Sequence, residues 1–220
     1  MSEQDRVTDL LKAEISKERP DVFIIRHLCK DMNQSIPSEV RSSVWKELLG
    51  VGHSANLDLD HNIVQVESDL ANQRVINADR NRTRPDEPSF QSTEGKELLA
   101  NVLTYYCKCR SILYKQGMNE VLAPFIMLEQ PPLPESVIFQ CFYALVNKFL
   151  PNVYADTEFR SLQCSMRLFR LLILYHDPTL CHFLDQHDML PELYATPWFM
   201  TLFSRGLSKE LLFQLWDFLT

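Results

Sequence analysis

Glycine is scarce in this sequence, and its scarcity excludes one large class of binding site. Only 5 of the 220 residues are glycine, whereas glycine makes up ~7% of an average protein. A loop that cradles phosphate needs several glycines close together. The five present match neither G-x-G-x-x-G nor G-x-x-x-x-G-K-S/T. We therefore expect no nucleotide-binding pocket within the chain itself.

Three further absences concern basic charge, cysteine pairing and long apolar runs. Lys and Arg total 22 against 29 Asp and Glu, a net charge of −7, which argues against a nucleic-acid partner and direct membrane contact. The 6 cysteines include no C-x-x-C pair, so we expect buried free thiols. The N-terminus lacks a signal-peptide layout, and no stretch approaches ~18 apolar residues. These features predict a cytoplasmic protein without an integral membrane segment.

Apolar residues recur at helical spacing along the whole chain, without the alternation of half-buried strands. The clearest helix opens at Pro37 and Ser38 and ends at Gly50, where a left-handed residue would close it. We predict an all-α fold of two helical subdomains without a sheet, divided by the proline-rich step at 130–134, with the apolar run 168–175 as a buried core helix. The predicted helices cover residues 8–16, 21–31, 37–49, 60–73, 94–110, 119–128, 135–149, 158–175, 178–186, 197–204 and 208–220.

Two polar segments interrupt this pattern with residues suited to phosphate chemistry. The first, residues 75–92, is predicted to be a long loop that carries Arg80, Arg82 and Arg84 at alternate positions. One helical face cannot hold all three, so at least one guanidinium points outward, either into solvent or toward a phosphate group. In the second, Gln116 precedes a glycine at a helix entrance, where an amide could orient a water molecule.

Histidine and cysteine cluster once along the chain, at His176, Cys181, His182 and His187. Residues five or six positions apart do not share a helix face, so these side chains cannot converge from one helix on a metal ion. We interpret them as ordinary core and surface residues and expect no metal site.

Three short motifs occur in order along the chain. They are Arg41-Ser-Ser-Val-Trp45, Ile76-Asn-Ala-Asp79-Arg-Asn-Arg82 and Tyr114-Lys-Gln116, the last continuing as Gly117-Met-Asn119. In these motifs the sequence resembles the TBC domain of Rab GTPase-activating proteins, whose hallmarks are R-x-x-x-W, I-x-x-D-x-x-R and Y-x-Q. The likeness runs from about Ile36 to the end, which implies an N-terminal helical lead-in at 1–34 and a TBC domain at 35–220. The family usually continues through further helices after Leu-Trp-Asp, so the resemblance implies a trimmed or unusually short C-terminal end.

The resemblance implies a GTPase activator that supplies catalytic residues to a Rab-family GTPase in its GTP-bound state, and so regulates vesicle trafficking. By the family pattern, Arg82 enters the nucleotide pocket of the partner and Gln116 orients the attacking water. GTP and Mg2+ are carried by the partner, so the chain has no cofactor of its own and is not an enzyme in the strict sense. Membrane contact is then indirect, with the cytoplasmic protein recruited peripherally to endomembranes through the Rab.

The resemblance also gives supporting roles to residues around the two catalytic candidates. Asp79 would hold the Arg82 segment by hydrogen bonds, and Ile76 would anchor that segment in the core. Tyr114 would position the glutamine turn, in which Gly117 follows the glutamine directly.

Structural roles are expected for the other motif residues. Asn119 would cap the helix that follows the glutamine turn, and Trp45 would pack in the core beside a structural Arg41. The chain departs from the family pattern at Ser35, where glycine often precedes Ile-Pro, and at Arg84, where an aromatic residue often follows Arg-Thr.

Two other interpretations fit a helical domain. A catalytically silent TBC-fold scaffold or effector would bind Rab proteins without accelerating hydrolysis. Such a domain usually lacks the arginine or the glutamine, and both Arg82 and Gln116 are present here. An unrelated helical scaffold would require three ordered motifs to coincide by chance. We therefore predict an activator that uses these two residues.

Overall fold

A computed structural model of the chain describes residues 3–32, 35–51, 57–128 and 130–219. Within these ranges the structure has fourteen helices and no β-strand, which confirms the predicted all-α fold. The helices are α1 (Glu3–Ile15), α2 (Val22–Asp31), α3 (Ser38–Leu48), α4 (Leu57–Val64), α5 (Gln73–Arg82), α6 (Pro88–Gln91), α7 (Thr93–Arg110), α8 (Met118–Ile126), α9 (Glu135–Phe149), α10 (Arg160–His176), α11 (Pro178–Gln186), α12 (Pro191–Tyr194), α13 (Thr196–Thr201) and α14 (Lys209–Leu219).

Local signals in the sequence fix several helix ends. The Asp21 carboxylate accepts hydrogen bonds from the backbone N–H groups of Phe23 and Ile24 and so caps α2. Gly50 has a φ of 71° just after α3, as the left-handed closing residue that the sequence predicts. Because such ends depend on neighbouring residues, the sequence alone was sufficient to place them.

The prediction for residues 60–92 is wrong in two places. The predicted helix at 60–73 ends at Val64, and the predicted loop at 75–92 begins inside α5 and contains α6. The buried residues of α5 are Gln73, Ile76 and Asp79, so two of its three inward side chains are polar. The buried residues of α5 have helical spacing, but the sequence of this helix shows no apolar repeat by which it could be predicted.

The main core forms around α7, α8 and α9 and includes the indole of Trp45 from α3. The Trp45 ring lies 6.0 Å from Phe125, 5.3 Å from Phe213 and 5.6 Å from Trp216, measured between ring centroids. The opposite stripe of α3, which includes Val44, packs with α1 and α2 in a second cluster. Helix α3 therefore joins the N-terminal helices to the main core.

Helix α10 corrects the prediction of a buried core helix at residues 168–175. Its buried residues are Leu162 and Met166, in its first half. In its second half the exposed fraction is 58% for Leu168 and 80% for Tyr175. The first half packs with α12 and α13 in a third small cluster, and the described part of the chain leaves the second half open on its outer face. Apolar content alone did not reveal which half is covered.

Two other sequence expectations concern cysteines and membrane spans. Cys107, Cys141 and Cys181 are buried free thiols as predicted, but Cys109 and Cys164 are exposed and Cys29 is half-buried. Among the helices of the described ranges, none combines the length and apolarity required to cross a bilayer.

Candidate functional site

The C-terminal end of α5 and the turn before α8 face a common groove, here called the α5–α8 groove. Its volume is about 590 Å³, and Arg82 and Gln116 both line it. Its other walls come from α13 and the link that follows α13, including Thr201 and Arg205. The structure therefore brings together the two residues that the sequence singles out, from positions 34 residues apart.

Arg82 is the last residue of α5. Its side chain is 59% exposed and forms an ion pair with Asp79, one helical turn earlier and fully buried. The next residue, Thr83, leaves the helical conformation, and its hydroxyl donates a 2.7 Å hydrogen bond to the Asp79 carbonyl. Arg82 is thus presented to the groove by a fixed helix end. Ile76, one turn before Asp79, is fully buried in the main core.

A buried hydrogen-bond network lies beneath Arg82 and Gln116. The Tyr114 hydroxyl donates to Asp79 Oδ2 at 2.5 Å and lies 3.0 Å from Asn119 Oδ1. That amide oxygen accepts the Gly117 N–H at 3.1 Å, and Asn119 Nδ2 donates to the Thr83 hydroxyl at 2.9 Å. The residue after Arg82 and the residue after Gln116 therefore bond to one asparagine.

Burial and the neighbouring Asp79 carboxylate raise the pKa of Tyr114 far above its ordinary value. The phenol consequently stays protonated and acts as a hydrogen-bond donor at any physiological pH. The buried Asp79 Oδ1 atom is the one that pairs with Arg82, so the Arg82 guanidinium offsets the charge of this carboxylate. Burial of the charged Asp79 side chain is therefore favourable only while a cation remains near it.

Gln116 projects from a tight turn that ends at the N-terminus of α8. Gly117 has a φ of 109° and is the N-cap residue, a conformation that glycine adopts without steric cost. Lys115 anchors the other side of the turn, with Nζ donating to the Asp156 carbonyl and lying 4.0 Å from the centre of the Phe159 ring. The exposed Gln116 thus stands at the positive end of a helix dipole.

The role expected for Asn119 is wrong in one respect. Asn119 is the second residue of α8 rather than its N-cap, and Gly117 at the cap position has no side-chain hydrogen bond to offer. Asn119 instead links α8 to the end of α5 through Thr83. The spacing of the motif could not reveal this, because Thr83 lies 36 residues away.

Arg41 and Trp45 lie outside the α5–α8 groove and share one carboxylate. Arg41 Nε donates to Asp217 Oδ1 at 3.1 Å, and Trp45 Nε1 donates to the same oxygen at 2.8 Å. The Ile36 N–H donates to Asp217 Oδ2 at 2.9 Å. These bonds fasten α14 to the start of α3, a structural role that the sequence predicted for Arg41 and Trp45 without identifying Asp217 as their partner.

Sequence reasoning also missed several groove residues, among them Lys115, Glu120, Thr201 and Arg205, and it missed Thr83 in the buried network beneath the groove. Lys115 stands inside a motif, and Thr83 and Glu120 each follow one directly, but Thr201 and Arg205 lie far from any motif. The local sequence therefore gave little reason to select them. The described residues contain no group of three His, Cys, Asp or Glu side chains that could hold a metal ion.

Residues 38–220 match the family described as the Rab-GTPase-TBC domain. The chain belongs to this family. Among curated proteins, it is 28% identical over 189 residues to TBC domain-containing protein kinase-like proteins of Gallus gallus, Mus musculus and Homo sapiens, which covers 86% of this chain. It is 27% identical over 199 residues to TBC1 domain family member 2B of Xenopus tropicalis, covering 84% of this chain. The chain spans only 21% and 20% of the length of these relatives, respectively.

Solved structures show the same fold. The Ypt/Rab-GAP domain of Gyp1p superposes with a TM-score of 0.82 at 17% identity, covering 98% of this chain and 79% of that domain. The Chlamydomonas flagellar RabGAP TBC domain superposes with a TM-score of 0.75 at 24% identity, covering 97% of this chain and 72% of the other. These likenesses establish the arrangement of the helices.

Proposed function

We propose that this chain is a GTPase-activating domain that accelerates GTP hydrolysis by a Rab-family GTPase. The observation that carries the proposal is that Arg82 and Gln116 line one groove while a single buried network holds the segments that bear them. Family membership supports the choice of a Rab as partner. The partner would supply GTP and Mg2+, and this chain would supply two side chains in trans.

Each side chain suits one requirement of the reaction. Hydrolysis of GTP needs an in-line water and a cation to offset charge that develops on the transferred phosphoryl group. The Arg82 side chain is 59% exposed and its guanidinium has several N–H donors, so it can offer a planar pair of them to phosphate oxygens. The Gln116 amide can donate and accept at once, and so can orient a water. Arg82 ends a helix and Gln116 stands on a tight turn, and one buried network holds both segments. Such fixed segments reduce the entropy lost on docking.

The biological setting follows from the partner. A Rab in its GTP-bound state is attached to an endomembrane, so the chain would act there by binding the Rab and would need no membrane contact of its own. Accelerated hydrolysis would end the active state of that Rab and regulate vesicle trafficking.

Single-turnover GTP hydrolysis by a panel of Rab proteins tests the proposal. The intact chain should accelerate at least one of them, and Arg82→Ala should lower the accelerated rate by ~10³-fold or more. Arg74→Ala is the matched control, because Arg74 is an exposed arginine of the same helix that does not line the groove. It should leave the rate unchanged.

A second candidate is a silent scaffold that binds a Rab without acting on it. One observation favours it, namely that Arg82 is already engaged by the Asp79 carboxylate. Measurable binding to a Rab-GTP complex without acceleration of hydrolysis would select this candidate and reject the activator.

A further inference from the structure

Arg84 lies two residues after Arg82 and has a backbone conformation that arginine rarely adopts. Its φ is 44°, in the left-handed region that favours glycine and asparagine. Such a conformation costs free energy and persists where surrounding contacts hold it. The contacts of the Arg84 side chain therefore offset the cost of this backbone conformation.

The Arg84 guanidinium joins three segments that are distant in sequence. Nη1 donates to the Leu207 carbonyl at 2.9 Å, and Nη2 donates to the Ser204 carbonyl. Nε lies 3.4 Å from Glu120 Oε2, in an ion pair whose side chains are only 14% and 18% exposed. The end of α5, the first turn of α8 and the α13–α14 link thus meet at one side chain.

All three segments contribute to the α5–α8 groove. The end of α5 presents Arg82, the first turn of α8 follows Gln116 directly and presents Glu120, and the α13–α14 link presents Arg205 between the two carbonyls that Arg84 holds. A planar fork with several fixed donors can satisfy three acceptors at once. An aromatic residue in its place could pack against these segments but could not bond to them.

We propose that Arg84 is a positioning residue, which sets the distance between the Arg82-bearing end of α5 and the Gln116-bearing start of α8. The proposal rests on the activator function argued above, and Arg84 itself does not line the groove. Misplacement of a catalytic group by ~1 Å can cost about 10²-fold in rate. Loss of the Arg84 guanidinium should therefore lower the rate of GTP hydrolysis in the bound complex and leave the binding of the Rab unchanged.

Three variants separate the side chain from the backbone. Arg84→Asn keeps a residue that tolerates positive φ but removes the fork. Arg84→Lys keeps the charge and can reach one or two of the three acceptors. Arg74→Ala is the control for the loss of one positive charge, because Arg74 is an exposed residue of α5 that does not line the groove.

For each variant we would measure kcat and KM for stimulated GTP hydrolysis, and backbone hydrogen exchange of the intact chain. Arg84→Asn should lower kcat by ~10²-fold with KM within about twofold of wild type. Exchange should accelerate in residues 83–87 and 203–208 while α7 and α9 keep their protection. Arg84→Lys should recover part of the lost kcat, and Arg74→Ala should match the wild type.

Two results would overturn the proposal. One is wild-type kcat in Arg84→Asn. The other is faster exchange throughout α7 and α9, which would make Arg84 a general stabiliser of the fold. If the wild-type chain accelerates no Rab, the activator function fails. Hydrogen exchange would then still decide whether Arg84 holds the three segments together, because that measurement requires no GTPase.

Discussion

The hydroxyl of Tyr114 donates a hydrogen bond of 2.5 Å to the buried carboxylate of Asp79, 35 residues earlier in the chain. This bond joins the motif that ends in Arg82 to the motif that ends in Gln116. The segments that carry the two catalytic candidates are therefore held by one buried hydrogen bond. A substitution in one motif should consequently alter the position of the other. That coupling makes the site testable by substitutions that touch neither Arg82 nor Gln116.

Tyr114→Phe removes one hydroxyl and leaves Asp79 Oδ2 without its donor. An unsatisfied buried acceptor costs about 1–3 kcal/mol, so urea unfolding should show a loss of that size. Stimulated GTP hydrolysis should fall more than Rab binding, because the Arg82 end of α5 loses its link to the glutamine turn. Tyr143→Phe is the control, since its hydroxyl bonds to Arg110 and Asn147 and Tyr143 does not line the groove. Equal losses of stability and of stimulated rate in the two variants would contradict a role of the Tyr114–Asp79 bond in holding both motifs.

Asp79 and Arg82 should behave as one unit in a double-mutant cycle. Asp79→Asn leaves Arg82 without its ionic partner, so the stimulated rate should fall. In an Arg82→Ala background the same substitution should have little further effect, because the guanidinium that Asp79 orients is already absent. Rates from single-turnover hydrolysis give the coupling directly. Effects that multiply would show that Asp79 acts independently of Arg82.

Gly117→Ala tests the turn that carries Gln116. The φ of 109° at Gly117 is unfavourable for alanine, and the left-handed conformation should cost about 1–2 kcal/mol. An added Cβ would also lie 3.4 Å from Thr201 Cγ2 in the groove wall. We expect both a lower unfolding free energy and a lower stimulated rate.

Gly50→Ala provides the matched control for Gly117→Ala, because Gly50 follows α3 and does not line the groove. Its φ is 71°, and an added Cβ would meet nothing within 4 Å. The backbone cost should therefore be similar, while Gln116 keeps its position. Stability measured by urea unfolding should fall in both variants, and the stimulated rate only in Gly117→Ala. A normal rate in Gly117→Ala would show that the turn tolerates movement.

The sequence predicted those features that depend on neighbouring residues. Asp21 caps α2, and Gly50 closes α3, because a cap is a contact over a few positions. Helix α5 was missed because polar side chains fill two of its three buried positions, and their partners come from elsewhere in the fold. The exposed half of α10 was missed because apolar content does not tell which elements cover a helix.

The candidate site likewise has one part that the sequence predicted and another that it could not predict. The motifs named Arg82 and Gln116, and the fold places both in one groove. The network beneath them could not be predicted, because Asn119 reaches Thr83 only after α5 and α8 have packed together. Two of the three partners of Arg84 are backbone carbonyls about 120 residues away, and a carbonyl leaves no signature in a sequence.

Asp217→Ala should destabilise the domain without altering the groove chemistry. The substitution removes a carboxylate that is 7% exposed and bonds to Arg41, Trp45 and the Ile36 N–H. Arg41, itself 10% exposed, would keep a buried charge without its partner, at a cost of about 3–5 kcal/mol. Urea unfolding measures that loss, and the stimulated rate at low temperature should remain near that of the wild type.

Asp185→Ala is the matched control for Asp217→Ala, because Asp185 pairs with Arg170 at the surface, with side chains 36% and 39% exposed. Water and salt screen such a pair, so its loss should leave the unfolding midpoint nearly unchanged. If Asp217→Ala were as mild as this control, the Arg41 motif would not fasten α14 to α3. If it abolished the stimulated rate in protein that remains folded, Arg41 and Trp45 would act on the groove as well as on the fold.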